Sequence, residues 1–221
     1  NTISAGALQI GNGGIIGSIV GNIANDGLLA FNRSDVAVFG GAITGAGALE
    51  QRGTGTLVLS GENSYTGGTT ISSGTLQLGN GGTSGSLTGN IANNSLLVFN
   101  RSDEVVFGSA IGGNGGLGQR GVGTLILTGT NTYTGGTTIT AGTLRIGNGS
   151  TAGSLIGNID NNGLLAFHRP SATAIGGDIK RPGGLEQHGT GTLTLHAHET
   201  HSAGSEKNAV TRVLAGRRYS A

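Results

Sequence analysis

The sequence predicts an all-β fold, a right-handed parallel β-helix (solenoid), and three observations support this prediction. Segments recur with an unvarying 68-residue period, apolar residues recur at every second position within short runs, and Gly or Asn ends each run. Alternation with period two is typical of strands buried on one side, and tandem repetition is typical of solenoids. We therefore expect stacked parallel strands.

The repeat is exact in length. The run Gly-Thr-Gly-Thr-Leu at 53–57 recurs at 121–125, with Val122 in place of Thr, and again unchanged at 189–193. No insertion or deletion interrupts this register from residue 1 to residue 195. Residues 1–195 are therefore predicted to form one β-helix of repeated units.

A shorter period lies inside each 68-residue copy. Leucines at 57, 76, 97 and 117 follow one another at nearly equal spacing, and Leu125 then comes after a much shorter step. We expect about three rungs per copy on a three-faced solenoid, because rungs of this length suit that architecture. Leu57 should then lie in a column of Leu and Ile side chains spaced by ~4.8 Å.

The strands and corners follow from local residue types. Leu57 and Leu59 alternate with Thr56 and Val58, so the two leucines are predicted to face inward. Each such run is short and ends at Gly or Asn, which tolerate the positive φ angles of tight corners.

Composition narrows the class of protein. Of 221 residues 47 are Gly and 2 are Pro, but no Gly-X-Y period is present, which excludes collagen. Cys, Met and Trp are absent, so the core must stabilise the fold without disulfides. The missing Met leads us to expect a piece of a longer precursor, with any export signal or membrane anchor outside it. Residues 1–195 carry 8 basic and 9 acidic side chains, which gives no electrostatic footprint for nucleic acid.

The run from Gly53 to Leu76 resembles the passenger-associated transport repeat of autotransporters, and the run from Gly121 to Leu144 is an even closer match. The resemblance extends over residues 1–195. It implies a right-handed β-helix exported from a Gram-negative cell through a C-terminal β-barrel that this chain does not contain. It also implies display at the bacterial cell surface, often for adhesion, and a repeat associated with export and folding rather than with catalysis. No cofactor is expected.

We therefore expect a surface-displayed structural or adhesive passenger stalk. Its expected partners are molecules of a host or neighbouring cell, or other copies of itself, with contact to the membrane only through the missing barrel. Two alternatives remain open: a fragment of a β-helical carbohydrate-active enzyme, and a self-associating surface filament.

An enzyme of this fold would need clustered carboxylates or a basic–acidic cluster at one place on a groove. The nine carboxylates of residues 1–195 are mostly isolated. One local break in the repeat is the place where a site would be sought. It consists of His168, Arg169, Pro170, Asp178, Lys180, Arg181 and Pro182.

Residues 196–221 form a tail that does not match the repeat and is predicted to be irregular. His196, His198 and His201 are weak candidates for metal ligands, because imidazole binds Zn²⁺ and Ni²⁺ but this spacing is not a standard signature. A short helix near residues 205–215 is a further expectation for this segment.

Three smaller expectations concern the surface of the repeat. A surface ion pair is predicted between Arg33 and Asp35, and another between Arg101 and Asp103 in the second copy. Threonines that include Thr69 are expected to point outward. The rings of two tyrosines are expected at surface or corner positions: Tyr65 and Tyr133.

Overall fold

The computed structural model describes residues 1–150, 152–180 and 182–196, together with the backbone of 210–212. These residues form short strands joined by turns, without a helix, and their paired strands are parallel. The prediction of an all-β parallel solenoid is therefore confirmed. The right-handed sense of winding stays a prediction.

The chain visits three faces in rotation, which we call A, B and C. The strands of face A are β1 (Thr2–Ile3), β3 (Ile23–Asn25), β6 (Ile43–Thr44), β13 (Glu104–Phe107), β16 (Thr124–Leu127), β18 (Thr143–Ile146), β20 (Leu164–Phe167) and β23 (Gly184–Gln187). Those of face B are β2 (Ala7–Ile10), β4 (Leu28–Phe31), β7 (Ala48–Gln51), β9 (Thr69–Ile71), β11 (Ile91–Asn93), β14 (Ile111–Gly112), β21 (Thr173–Ile175), β24 (Leu193–Leu195) and β25 (Val210–Arg212). Those of face C are β5 (Val36–Phe39), β8 (Thr56–Leu59), β10 (Thr75–Leu78), β12 (Leu96–Phe99), β15 (Gly116–Gln119), β17 (Thr137–Ile139), β19 (Ile159–Asn161) and β22 (Ile179–Lys180).

One 68-residue copy makes three turns and then advances by one further face. Phe31 lies on face B in β4, Phe99 on face C in β12, and Phe167 on face A in β20. Equivalent residues are therefore rotated by a third of a turn and displaced by about 16 Å along the axis, at ~4.8 Å per turn. The short step from Leu117 to Leu125 is the passage from face C to face A within one turn.

The predicted leucine column is confirmed on face C. Leu57 pairs with Leu76, Leu76 with Leu97, and Leu97 with Leu117, each in register on consecutive strands. All four side chains are at most 1% exposed. A rung cannot bury these side chains alone, so contacts between neighbouring turns stabilise the fold.

Buried amides hold the corners from inside. Gln119 donates from Nε2 to the carbonyl oxygens of Gly121 at 3.0 Å and Gly123 at 3.1 Å, and Gln51 and Gln187 make the equivalent bonds in the other copies. At Gly121 a Cβ atom would lie 2.0 Å from the carbonyl oxygen of Arg101 on the preceding turn. Close backbone approach therefore requires glycine at this corner.

The segment after Leu195 differs from one expectation. The backbone of β25 pairs in parallel with β24, with Val210 opposite Leu193. The predicted helix near residues 205–215 is thus wrong for residues 210–212, because their backbone groups extend the ladder of face B. The boundary at residue 195 stays a prediction.

Candidate functional site

Each copy carries one twelve-residue loop in place of a regular strand: 11–22 (loop 1), 79–90 (loop 2) and 147–158 (loop 3). Within loop 2, Ser86 forms an isolated parallel bridge with Glu62. Loop 1 replaces a strand on face C, loop 2 on face A and loop 3 on face B. The three loops therefore project from different faces. They share glycines with positive φ at four equivalent positions: 11, 13, 17 and 21, then 79, 81, 85 and 89, then 147, 149, 153 and 157.

An arginine on the following turn fixes each loop. Arg101 donates from Nη1 to the carbonyl oxygen of Gly85 at 3.2 Å, and its guanidinium makes a bidentate pair with Asp103 at 2.9 and 2.7 Å. Arg33 makes the same bidentate pair with Asp35, at 2.8 and 2.6 Å, and also bonds the Gly17 carbonyl. Both predicted ion pairs are confirmed, and both have the further role of holding a loop.

The third copy keeps the arginine but not the carboxylate. Arg169 bonds the Gly153 carbonyl and reaches the Ser171 hydroxyl at 3.1 Å. In the first two copies, hydrogen bonds from arginine lower the pKa of Asp35 and Asp103, with desolvation acting in the opposite direction. Loops 1 and 2 are therefore held by an arginine paired with a carboxylate, whereas in the third copy a serine hydroxyl stands at the position of that carboxylate.

A second anchor is an apolar side chain that points inward from the loop. Leu87 in loop 2 is 6% exposed and Leu155 in loop 3 is 4% exposed, and both belong to the core. The equivalent Ile19 in loop 1 is only partly buried. It borders a cavity of about 180 Å³ between Gly17–Ile19 and strand β5.

The outward side chains differ most between loops. Loop 1 exposes Ile15, Ile16 and Val20 by 66%, 80% and 82%. Loop 2 has Thr83, Ser84 and Thr88 at the same positions. Strand β5, the next segment on face C, adds the exposed Val36 and Val38. We call these five residues the apolar patch: Ile15, Ile16, Val20, Val36 and Val38.

The candidate catalytic cluster is divided between two places. Asp178 and Lys180 lie 3.9 Å apart at the start of face C, whereas His168 and Arg169 follow β20 on face A. A strand on face B separates the two groups along the turn. Arg181 lies outside the described residues, and Pro170 and Pro182 lie in turns between strands.

The candidate metal ligands of the tail fall mostly outside the described residues. His196 follows β24, and its backbone N–H donates to the Ile175 carbonyl at 3.0 Å. His198 and His201 are not among the described residues. Within 1–150, 152–180 and 182–196, no three His, Asp or Glu side chains are already arranged to hold a metal ion.

The expectation for the two tyrosines is wrong. Tyr65 and Tyr133 are fully buried, and their hydroxyls lie 2.7 Å from Thr69 Oγ1 and Thr137 Oγ1. Thr69 and Thr137 are buried too, so Thr69 does not point outward. The rings fill the interior where the turn has no regular strand, and the threonine satisfies the phenol. Burial raises the pKa of Tyr65 to about 12 and that of Tyr133 further.

One group of polar residues was not predicted from the sequence. His168 and His188 are one above the other on consecutive turns, with ring centres 6.4 Å apart, and Glu186 is paired with His188. The signal that could have found this group is the interval between the two histidines. It matches the interval from Leu97 to Leu117, which is one turn of the solenoid.

The structure thus defines a tandem-repeat β-solenoid that displays one loop per copy. No helix within the described part of the chain is long and apolar enough to cross a membrane. The model of the passenger-associated-transport-repeat family matches residues 49–78 and 117–146, where the resemblance was found in the sequence. No solved structure matched the chain.

A curated relative is similar over most of this chain. The chain is 39% identical over 180 residues to the adhesin BmaC autotransporter of Brucella suis biovar 1 (strain 1330). The match covers 72% of this chain and 5% of the length of that relative. The family-model match and this relative together support an autotransporter passenger domain, located at the cell surface or secreted.

Proposed function

We propose that this chain is a stalk segment of an adhesive passenger displayed on the bacterial outer membrane, and that its loops make the adhesive contact. The observation that carries the proposal is the part of the apolar patch that lies on loop 1: Ile15, Ile16 and Val20. These three side chains are between 66% and 82% exposed, on a loop that Arg33 of the following turn holds through the Gly17 carbonyl. Exposed apolar patches with polar surroundings are typical of interaction sites.

The rest of the surface favours a structural role over catalysis. In the third copy, Asp178 is engaged with Lys180 and Glu186 with His188. We therefore propose that the chain is not an enzyme. The partner class that fits loop 1 is an apolar surface on a molecule of a host or neighbouring cell.

The test exchanges loop 1 for the chemistry of loop 2. Ile15→Thr, Ile16→Ser and Val20→Thr introduce residues that the same backbone already carries in the second copy. We expect adhesion of displayed protein to host cells to fall by about tenfold, which corresponds to about 1.4 kcal/mol of binding free energy. The melting temperature should not change, because all three side chains are solvent-exposed.

A matched control is Thr83→Ala with Ser84→Ala in loop 2, which should leave adhesion unchanged. Undiminished adhesion by the loop 1 variant would refute the role of the patch. Self-association through the same patch is the second candidate, because a surface of exposed valine and isoleucine also fits a second copy. Sedimentation velocity separates the two: a concentration-dependent increase in size that the loop 1 variant abolishes indicates self-association.

A further inference from the structure

The third copy contains a pair of histidines stacked along the solenoid axis. Phe167 pairs in register with Gln187, so the next residues, His168 and His188, occupy the same column on consecutive turns. Their ring centres are 6.4 Å apart. Nε2 of His188 lies 2.6 Å from Oε2 of Glu186, which is two positions earlier on the same side of its strand.

The first copy shows that the fold does not need these imidazoles. At the equivalent positions, Arg52 pairs with Glu50 at 2.7 Å, and the Ser72 hydroxyl donates to the same carboxylate at 2.8 Å. Asn32 stands where the third copy has His168. The second copy has Asn100, Gly118 and Arg120 at the three positions. A guanidinium–carboxylate pair or no pair at all therefore satisfies this corner.

The surroundings hold the two rings close together but leave them accessible. The His168 ring lies over Gly149, where a Cβ atom would be 3.4 Å from Nε2, so a larger residue would crowd the ring. The His188 side chain is 44% exposed and that of Glu186 is 21% exposed. His188 can therefore change rotamer without a change in the ladder.

We propose that His168 and His188 bind a late first-row divalent cation such as Zn²⁺, with Glu186 as a third ligand. Neutral imidazole and carboxylate are the donors that Zn²⁺, Ni²⁺ and Cu²⁺ take in proteins, at about 2.0–2.2 Å for zinc. Two histidines that directly follow the adjacent strands β20 and β23 supply two imidazoles, and water completes the coordination.

The site requires one side-chain rearrangement. The described residues hold no group of three side chains in a geometry that could hold a metal ion: the two ring centres are 6.4 Å apart, and Nε2 of His188 is engaged with Glu186. Rotation of His188 and Glu186 would direct both toward the space beside His168. This competing hydrogen bond leads us to expect micromolar rather than tighter affinity.

The test is titration of the full chain with zinc chloride by isothermal calorimetry at neutral pH. Because the tail has its own histidines, the reference protein carries His196→Ala, His198→Ala and His201→Ala. We expect one Zn²⁺ per chain in this reference. Adding His168→Asn or His188→Arg, the residues of the second copy, removes one imidazole ligand. Each should weaken binding by at least about tenfold, since even the loss of an outer-shell partner costs about 10–100-fold.

Glu186→Gly, again the residue of the second copy, should weaken binding by a smaller factor. The matched control is Glu50→Gly in the first copy, which should have no effect. Binding that disappears with the tail histidines, or that is the same after His168→Asn and His188→Arg, would overturn the proposal. If a variant unfolds, the imidazole NMR resonances of the reference protein decide: those of both His168 and His188 must shift together on zinc addition.

Discussion

Between the repeat copies, side chains in the interior of the solenoid stay alike, whereas side chains that point outward from the loops change. Phe31, Phe99 and Phe167 are all buried although each lies on a different face. The loops keep their glycines and their arginine anchors, but the outward residues change from Ile15 in loop 1 to Thr83 in loop 2. The interior is constrained by the turns above and below it, whereas an outward side chain is constrained only by solvent and by what it binds.

The largest expected difference is between one interior and one exterior apolar residue of the same copy. Leu97→Ala removes a side chain that is fully buried between Leu76 and Leu117, and should lower the free energy of unfolding by about 2–5 kcal/mol. Val106→Ala on face A, where Val106 is 58% exposed, should change it by less than about 0.5 kcal/mol. Chemical denaturation measures both, and equal losses would contradict the comparison.

An intermediate effect is expected inside the core where it contains a polar group. Tyr133→Phe removes the hydroxyl that pairs with Thr137 and leaves a buried Thr137 Oγ1 without that partner, which should cost about 1–3 kcal/mol. Tyr133→Phe combined with Thr137→Val should recover part of the loss, because neither polar atom then remains buried. A double-mutant cycle tests this, and full additivity of the two single changes would argue against the pairing.

The stability of the protein at alkaline pH tests the other buried tyrosine–threonine pair, Tyr65 with Thr69. Burial raises the pKa of Tyr65 from its ordinary value near 10 to about 12. The stabilisation that follows from keeping this phenol neutral is complete below pH ~10 and is lost as pH rises toward 12. Chemical denaturation at increasing pH measures the loss. Tyr65→Phe should reduce this dependence on pH, and an unchanged dependence would show that the phenol does not cause it.

The fold could be predicted from the sequence because the repeat length, the spacing of apolar residues and the corner residues all indicate the same architecture. The unbroken 68-residue step, the leucine spacing and the glycine corners all agree, and the column from Leu57 to Leu117 was predicted correctly. The rotation of each copy by one face was not predicted. This rotation depends on the sum of all turn lengths in a copy. The short step from Leu117 to Leu125 is the sequence feature that indicates the rotation.

The candidate sites were predicted less well, for two physical reasons. A tyrosine between polar residues suggests an exposed ring, but Thr69 lies within hydrogen-bond distance of Tyr65 only after the turn has closed. Proximity along the chain also misled, since His168 and Asp178 are near in sequence but on different sides of one turn. Residues one turn apart, such as His168 and His188, are the true neighbours.

The smallest expected effect is a difference between the loops in their response to acid pH. The lowered pKa values of Asp35 and Asp103 mean that their ion pairs stabilise loops 1 and 2 fully above the ordinary carboxyl pKa of about 3.9. This contribution is lost as pH falls through the lowered values in the folded state. In an NMR titration from about pH 6 to pH 2, the amide resonances of Gly17 and Gly85 should shift together with those carboxyl groups.

Loop 3 provides the internal control, because Ser171 stands where the other copies have a carboxylate and accepts a bond from Arg169 at 3.1 Å. Gly153 should not follow the acid transition of Gly17 and Gly85. Asp103→Ser, which gives loop 2 the acceptor of loop 3, should remove the transition at Gly85 and leave that at Gly17. If the amide resonance of Gly153 shifts with the same midpoint pH as those of Gly17 and Gly85, the carboxylates do not control the loops. The hydrogen bond from arginine to the glycine carbonyl must then hold all three loops without them.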